Sequence, residues 1–164
     1  MYNDPELFQL AEQTGEYLQA QQMMICTAES CTGGWLAEVI TAVPGSSAWF
    51  DCGFVTYSNS AKQRLLSVPE VVINEAGAVS EPTAIAMAQG GLAASQADLC
   101  VSITGIAGPG GATVDKPLGT VWLAWQVRER EAVTRCHQFD GDRHAVRRQA
   151  VKVALEMAQK LRID

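Results

Sequence analysis

Positive charge is scarce in the first third of this chain and is concentrated towards its end. The 164 residues include 12 Lys and Arg against 18 Asp and Glu, giving a net charge of −6 and a pI of about 4.9. Neither Lys nor Arg occurs before Lys62, and nine of the 12 lie at or beyond Arg128. Such an acidic chain is not typical of a nucleic-acid-binding protein. A protein that binds a small anion with so few cations must focus them on the site, so Lys62, Lys116, Arg143 and Arg147 are the candidates.

The sequence also lacks metal-ligand and disulfide patterns. Its five cysteines are scattered without a C-x-x-C pair, and its two histidines, His137 and His144, have no metal-type spacing to a cysteine. We therefore expect no dedicated metal site. An odd number of cysteines, two of them inside apolar runs, is typical of reduced core thiols in a cytosolic protein.

Long hydrophobic runs are missing as well. No apolar stretch approaches the roughly 20 residues of a membrane span, and the first residues lack the basic segment of a signal peptide. A hydrophobic content of 48% and a mean hydropathy of +0.03 are typical of a globular protein. We expect one domain over residues 1–164, located in the cytoplasm, with no membrane partner.

Apolar periodicity and turn residues predict an alternation of helices and strands. Helices are expected over about residues 5–21, 35–41, 69–75, 80–94 and 142–162, with a further short helix beginning at Ser58 or Asn59. Strands are expected over residues 23–27, 49–57, 98–104, 119–127 and 132–139, the last two forming an antiparallel hairpin. The order predicts a single-domain three-layer α/β/α sandwich with a mixed β-sheet.

The segment TAESCTGG, residues 27–34, lies between the first predicted strand and a predicted helix that starts at Trp35. This arrangement places small polar side chains and backbone N–H groups at a helix N-terminus, which suits an anion or a developing oxyanion. It also presents the Ser30 hydroxyl at the edge of the sheet where α/β proteins bind ligands. The alternative is a capped strand-to-helix turn with a purely structural role.

Four polar segments end a predicted strand or open a predicted helix: residues 30–34, 57–62, 104–111 and 141–143. If these segments meet, one cleft contains a hydroxyl, a lysine, a phenol, a glycine-rich backbone and an arginine. This set suits a serine nucleophile, Ser30, with Lys62 as its base. Lys62 must then be neutral, which burial or the nearby charge of Arg143 would favour by lowering its pKa. The alternative is an exposed lysine on a short helix.

Other chemistries remain open from the residues alone. Ser30 could work with His137 or His144 and with Asp140 or Asp142 as a Ser-His-Asp triad. Cys31, beside Ser30, could instead be a thiolate nucleophile. The loop of residues 105–111 could cradle a phosphate through backbone N–H groups, but it lacks the Gly-Lys-Ser/Thr that closes a P-loop.

Six segments in order resemble the CinA C-terminal domain family: TAESCTGG (27–34), GFVTYSNSAK (53–62), GAVSEP (77–82), SITGIAGPGG (102–111), KPLGTVW (116–122) and FDGDR (139–143). The resemblance covers nearly the whole chain and is strongest to the short, stand-alone form of the family, the bacterial nicotinamide-nucleotide amidases. It implies a metal-independent serine amidohydrolase, without a cofactor, that converts nicotinamide mononucleotide to nicotinate mononucleotide and ammonia in pyridine-nucleotide recycling.

The resemblance also implies roles for individual residues. Ser30 would be the nucleophile and Lys62 its base. Tyr57 would position or assist proton transfer, and Arg143 would hold the substrate by its phosphate. The substrate-binding residues would be Thr32, Gly33, Gly34, Thr104, Ala107, Gly108, Gly110 and Arg143. Backbone groups of residues 32–34 and 107–110 would form the oxyanion hole and the phosphate cradle, with the assignment of each left open. A homodimer or higher homo-oligomer is implied, and the alternative function is a non-catalytic nucleotide-binding module.

Overall fold

A computed structural model of the chain describes residues 3–161. Within them, the helices are α1 (Pro5–Ala20), α2 (Trp35–Thr41), α3 (Asn59–Leu66), α4 (Glu70–Ala76), α5 (Glu81–Ala93) and α6 (Arg143–Ala158), with a 3₁₀ turn at Ser46–Ala48. The strands are β1 (Ile25–Glu29), β2 (Phe50–Val55), β3 (Leu99–Gly105), β4 (Thr120–Val127) and β5 (Val133–Gln138). None of these helices has the length and hydropathy of a membrane span.

The five strands form one mixed sheet in the order β2-β1-β3-β4-β5. The strands β2, β1 and β3 are parallel, whereas β4 and β5 form an antiparallel hairpin that continues the sheet from β3. The carboxyl ends of β1, β2 and β3 therefore lie at the same edge. Gly105 pairs with Val121, and Thr120 pairs with Gln138, so the start of β4 and the end of β5 lie at this edge too. The chain continues from the end of β5 at this edge into α6.

Helices cover both faces of the sheet and enclose a separate apolar core on each. One core is built by α1, α2 and α6 against Ile25, Val101 and Trp125, and the other by α3, α4 and α5 against Ala28 and Cys100. Successive residues of the central strands point to opposite faces, so a strand buried on both faces must be apolar nearly throughout. This architecture confirms the predicted three-layer α/β/α sandwich with a mixed sheet.

Short polar side chains start the helices that border the carboxyl edge. The Ser58 hydroxyl accepts from the N–H of Ala61 at 3.1 Å, and Asp142 accepts from the N–H of Ala145 at 2.8 Å. These bonds satisfy donors that the first helical turn leaves unpaired. Ser58 is one of the two residues expected to start the short helix, and the two caps fix where α3 and α6 begin.

The predicted boundaries differ most from the observed ones at two elements. The strand expected over residues 23–27 is β1, Ile25–Glu29, because the carboxylate of Glu29 finds N–H partners and can be buried at the end of an otherwise apolar strand. The helix expected over residues 142–162 ends at Ala158, and residue 162 itself lies outside the described residues.

Candidate active site

A pocket of about 250 Å³ lies at the carboxyl edge of the sheet, where the predicted polar segments meet. It is lined by residues from the ends of β1, β2 and β3, from α3, and from the start of α6: Ser30, Cys31, Tyr57, Asn59, Lys62, Ala78, Val79, Thr104, Gly105, Ile106, Ala107, Gly108, Gly110, Gly111 and Arg143. The parallel strands explain the convergence, because their carboxyl ends deliver each following loop to one edge.

Ser30 and Lys62 meet at the floor of this pocket. The Nζ of Lys62 lies 3.0 Å from the Oγ of Ser30 and 2.8 Å from the carbonyl oxygen of Thr56. Ser30 follows directly after β1, while Lys62 lies in the first turn of α3, whose start is fixed by the Ser58 cap. Two elements that are distant in sequence thus place the two side chains within hydrogen-bond distance, as a nucleophile and its base require.

The amine of Lys62 is buried without a compensating negative charge. Only 1% of the residue is exposed, and none of the ion pairs within residues 3–161 involves it. Loss of hydration disfavours the charged ammonium, and this desolvation lowers the pKa of Lys62 below its ordinary value. The neutral amine has a lone pair and can accept the proton of the Ser30 hydroxyl.

The environment of Cys31 has the opposite effect on its acidity. Burial raises the pKa of the Cys31 thiol to about 11, and the carboxylate of Glu29 contributes in the same direction. A thiol with this pKa is almost entirely protonated at neutral pH, whereas a nucleophilic cysteine requires the thiolate. The raised pKa of Cys31, together with the contact between Lys62 Nζ and Ser30 Oγ, favours Ser30 over Cys31 as the nucleophile.

The histidines of the possible Ser-His-Asp triad do not line the Ser30 pocket. The ring of His144 packs against Trp35, with ring centroids 4.9 Å apart, and His137 stacks on Phe139 at 5.0 Å. Asp142 serves as the cap of α6. The structure therefore does not bring a triad together around Ser30.

Arg143 and Tyr57 form the rim of the pocket. The guanidinium of Arg143 donates from Nη2 to the hydroxyl of Tyr57 and from Nη1 to the carbonyl oxygen of Gly108, both at 2.8 Å. Both acceptors are neutral, and no ion pair of Arg143 occurs within residues 3–161. Its positive charge is therefore available to an anionic ligand. Tyr57, which is 61% exposed, contacts Arg143 through its hydroxyl.

The glycine-rich loop between β3 and β4 forms a further part of the pocket lining. Ala107, Gly108 and Gly110 line the pocket, and their N–H groups donate to no other residue that the structure describes. Lys116 fastens the far side of the loop by donating to the carbonyl oxygen of Ala76 at 2.8 Å. The hydroxyl of Thr104 donates to the carbonyl oxygen of Ala78 at 2.7 Å, which attaches β3 to the segment before α5.

The structure places Gly33 and Gly34 outside the lining of the Ser30 pocket. Gly33 and Gly34 line a neighbouring cleft, and the side chain of Thr32 is fully buried. The N–H of Gly33 donates to the carbonyl oxygen of Ser30 at 3.0 Å, and the N–H of Gly34 donates to the carboxylate of Glu29 at 3.1 Å. Both glycines have φ values, +63° and +94°, that disfavour other residues, so they shape this turn.

Glu29 supplies the anion that sequence reasoning placed at the N-terminus of α2. Its carboxylate also accepts from the N–H groups of Leu36 and Ala37 at 3.0 and 2.9 Å. The helix start is therefore already neutralised from inside the protein. Two consecutive N–H groups of the turn, those of Cys31 and Thr32, donate to no other residue that the structure describes.

Sequence reasoning missed Glu29 altogether and did not assign Arg147 or Asn59 to a contact. Glu29 stands at the end of an apolar strand just before a turn and a helix, a position where a buried carboxylate can cap the helix. Arg147 follows Arg143 by four residues and so shares its helix face. Asn59 follows the Ser58 cap directly and lines the pocket.

The described residues contain no group of three or more His, Cys, Asp or Glu side chains arranged to hold a metal ion. The donors around Ser30 are an amine, hydroxyls, a guanidinium and backbone amides. This set is suited to binding a polar organic anion.

Comparison with known proteins gives a consistent result. The model of the CinA C-terminal domain family matches residues 7–162. Nicotinamide-nucleotide amidohydrolase PncC of Escherichia coli strain K12 is 55% identical over 153 residues, which are 93% of this chain and 93% of the relative. The protein of the same name from Pseudomonas putida is 54% identical, covering 90% of this chain and 91% of the relative.

A solved structure has the same fold over almost its full length. The crystal structure of competence/damage inducible protein CihA from Agrobacterium tumefaciens superposes with a TM-score of 0.93 at 40% identity. The superposition covers 98% of this chain and 99% of that protein.

Proposed function

This chain belongs to the CinA C-terminal domain family, and on that premise we propose that it hydrolyses the carboxamide of nicotinamide mononucleotide to nicotinate mononucleotide and ammonia. The contact between Lys62 Nζ and Ser30 Oγ, 3.0 Å long and buried without a carboxylate, is the observation that carries the proposal. The names of the relatives from Escherichia coli and Pseudomonas putida support the nicotinamide nucleotide as the substrate.

Acylation begins with transfer of the Ser30 hydroxyl proton to the neutral amine of Lys62. Ser30 Oγ attacks the carboxamide carbon, and the carbonyl π electrons move to oxygen to form a tetrahedral oxyanion. The C–N bond then breaks, and the leaving nitrogen takes the proton from the Lys62 ammonium to leave as ammonia. The product of this half-reaction is an ester between Ser30 and the nicotinoyl group.

Deacylation repeats the same steps with water. Lys62, neutral again, accepts a proton from a water molecule whose oxygen attacks the ester carbon. The bond to Ser30 Oγ breaks, and the proton on Lys62 returns to the serine. Nicotinate mononucleotide leaves, and both side chains regain their starting protonation.

The two backbone regions bind different anionic groups. The turn after Ser30 binds the developing oxyanion, and the glycine-rich loop after β3 binds the phosphate. The free N–H of Cys31, on the residue after the nucleophile, serves with that of Thr32 as the oxyanion hole. Arg143 and the N–H groups of Ala107, Gly108 and Gly110 bind the phosphate, because the hydrogen bond to the Gly108 carbonyl places the guanidinium beside this loop. Tyr57 then positions Arg143 through their hydrogen bond.

Ammonia release from nicotinamide mononucleotide tests this proposal. We expect turnover by the wild type, and loss of roughly 10⁴-fold or more in kcat for Ser30→Ala because the acyl-enzyme cannot form. Ser60→Ala, the same change at an exposed position of α3, is the control and keeps wild-type turnover. Turnover that survives Ser30→Ala would indicate that Cys31 or water, and not Ser30, attacks the carboxamide. Binding without turnover by the wild type would support a non-catalytic module.

Three further features remain predictions. They are the place in pyridine-nucleotide recycling, the cytoplasmic location and the homo-oligomeric state. Light scattering at micromolar concentration tests the last of them, and a monomer would overturn it.

A further inference from the structure

Arg147 contacts the backbone of the turn that carries the nucleophile, from the side opposite to the substrate pocket. Its Nε donates to the carbonyl oxygen of Cys31 at 3.1 Å, and its Nη2 donates to that of Thr32 at 2.8 Å. It lines the neighbouring cleft, where its guanidinium lies over the ring of Trp35 at 5.3 Å from the centroid. Ser30 and Cys31 line the active-site pocket instead. The turn therefore lies between Arg147 and the pocket.

Because of peptide geometry, the contact with Arg147 also determines the orientation of N–H groups on the other side of the turn. In a trans peptide the C=O and the N–H of one plane point in opposite directions. The carbonyl of Cys31 shares its plane with the N–H of Thr32, so a guanidinium that holds the carbonyl on one side orients this N–H to the other. The carbonyl of Thr32 shares its plane with the N–H of Gly33, which donates to the carbonyl oxygen of Ser30.

The N–H groups of Ser30 and Gly34 are held as well. Ser30 donates its N–H to the carbonyl oxygen of Ile103 at 2.9 Å, and the carboxylate of Glu29 holds the N–H of Gly34. Among the N–H groups of the turn, those of Cys31 and Thr32 donate to no other residue that the structure describes. A pair of donors held rigidly before the reaction is the arrangement that stabilises a developing oxyanion.

We propose that Arg147 is a positioning residue that holds the Cys31 and Thr32 N–H groups in the orientation of the oxyanion hole. It acts through two backbone carbonyls and does not touch the substrate. This inference rests on the proposed amidase reaction. Its signature is a loss in the chemical step without a loss in substrate binding, because the oxyanion exists only in and around the transition state.

Steady-state kinetics of Arg147→Met against Arg148→Met is the first test. Arg148 is the next residue of α6, but its guanidinium pairs with Asp4, the cap of α1, and with Glu6 of α1, so it is a matched control. For Arg147→Met we expect kcat to fall roughly 10- to 100-fold, less than for deletion of an oxyanion donor, because the N–H groups remain. KM changes by less than about twofold. Arg147→Lys keeps the charge but can donate to only one of the two carbonyls at a time. We expect its kcat to lie between those of the wild type and Arg147→Met.

Binding and backbone dynamics separate the possible outcomes. Calorimetric titration of nicotinamide mononucleotide into Ser30→Ala and into Ser30→Ala/Arg147→Met gives the same Kd. Amide hydrogen exchange over residues 30–36 becomes faster in Arg147→Met and stays unchanged in Arg148→Met. A raised KM at constant kcat, a wild-type kcat, or unchanged exchange would overturn the inference. If the wild type releases no ammonia, the proposed reaction fails, while the exchange data still decide whether Arg147 holds the turn.

Discussion

Two lysines of this protein have opposite environments and opposite pKa shifts. Lys62 is buried against Ser30 and the Thr56 carbonyl without a carboxylate, and desolvation lowers its pKa. Lys152, on α6, contacts Glu6 and Glu156, and these carboxylates raise its pKa. The same side chain is therefore suited to accept a proton in one region and to remain a cation in the other.

The arginines of α6 show the same division along one helix. Arg143 and Arg147 face the pocket and its turn, where they bond to neutral acceptors: a phenol and backbone carbonyls. Arg148 faces α1 and pairs with Asp4 and Glu6. The cations with neutral partners keep their charge available to a ligand or a dipole. The cations paired with Asp4 and Glu6 instead hold α6 against the start of α1. The predictions below test this division.

Removing the amine of Lys62 should have the largest effect. We expect Lys62→Met to lower kcat/KM for nicotinamide mononucleotide roughly 10²- to 10⁴-fold, the range of a general base. Lys152→Met, the same change in the ion-paired region, should stay within about twofold of the wild type. Ammonia release measured on both variants compares their kcat/KM. Equal losses in the two variants would contradict the division.

Replacing Arg143 should weaken recognition of the phosphate. Loss of a hydrogen bond to a charged group costs about 1.5–3 kcal/mol, so Arg143→Met should raise KM for nicotinamide mononucleotide roughly 10- to 100-fold. For nicotinamide riboside, which lacks the phosphate, the same variant should show almost no change in kcat/KM. If both substrates lose equally, Arg143 does not bind the phosphate.

The buried amine should also leave a pH dependence in the free energy of unfolding. The folded-state pKa of Lys62 is lowered, so between that value and the unfolded value of about 10.5 the unfolded chain binds the extra proton. Stability of the wild type relative to Lys62→Met therefore rises with pH through this window, by up to about 1.4 kcal/mol per pH unit. Urea unfolding of both proteins from pH 7 to 10 measures it. A difference that falls or stays flat would contradict a lowered pKa.

The smallest effect is expected in the ion-paired region. Arg148→Met removes the contacts with Asp4 and Glu6, which are partly exposed, and pairs of this kind contribute about 0–1 kcal/mol. We expect a shift of at most about 1 kcal/mol in the free energy of unfolding, smaller at 1 M salt, with kcat unchanged. Chemical denaturation at low and high salt measures this. A drop in kcat would show that α1 also supports the site.

Local signals in the sequence predicted much of what positions the site. Ser58 and Asp142 are helix caps whose residue types act within one turn, and parallel strands bring their following loops to one edge whatever the loops contain. The meeting of Ser30 with Lys62 followed from these two facts together with the family resemblance.

The rest depends on contacts that no local pattern encodes. The burial of Glu29 is possible because a turn folds its helix back onto the carboxylate, and the contacts of Arg147 require α6 to pack beside that turn. For this reason the N–H groups of Gly33 and Gly34 looked free in the sequence but are paired in the structure. The N–H groups that donate to no other described residue belong to Cys31 and Thr32, the first and second residues after Ser30.

The most direct test of a neutral Lys62 acting on Ser30 is to titrate the amine and the reaction together. The Nζ of Lys62 is followed by NMR with ¹⁵N-labelled lysine, and kcat/KM for nicotinamide mononucleotide is measured over the same pH range. We predict that kcat/KM rises with pH along the titration curve of Lys62, with a shared pKa below 10.5. A Lys62 that titrates at or above 10.5, or a rate that follows a different pKa, would contradict the account.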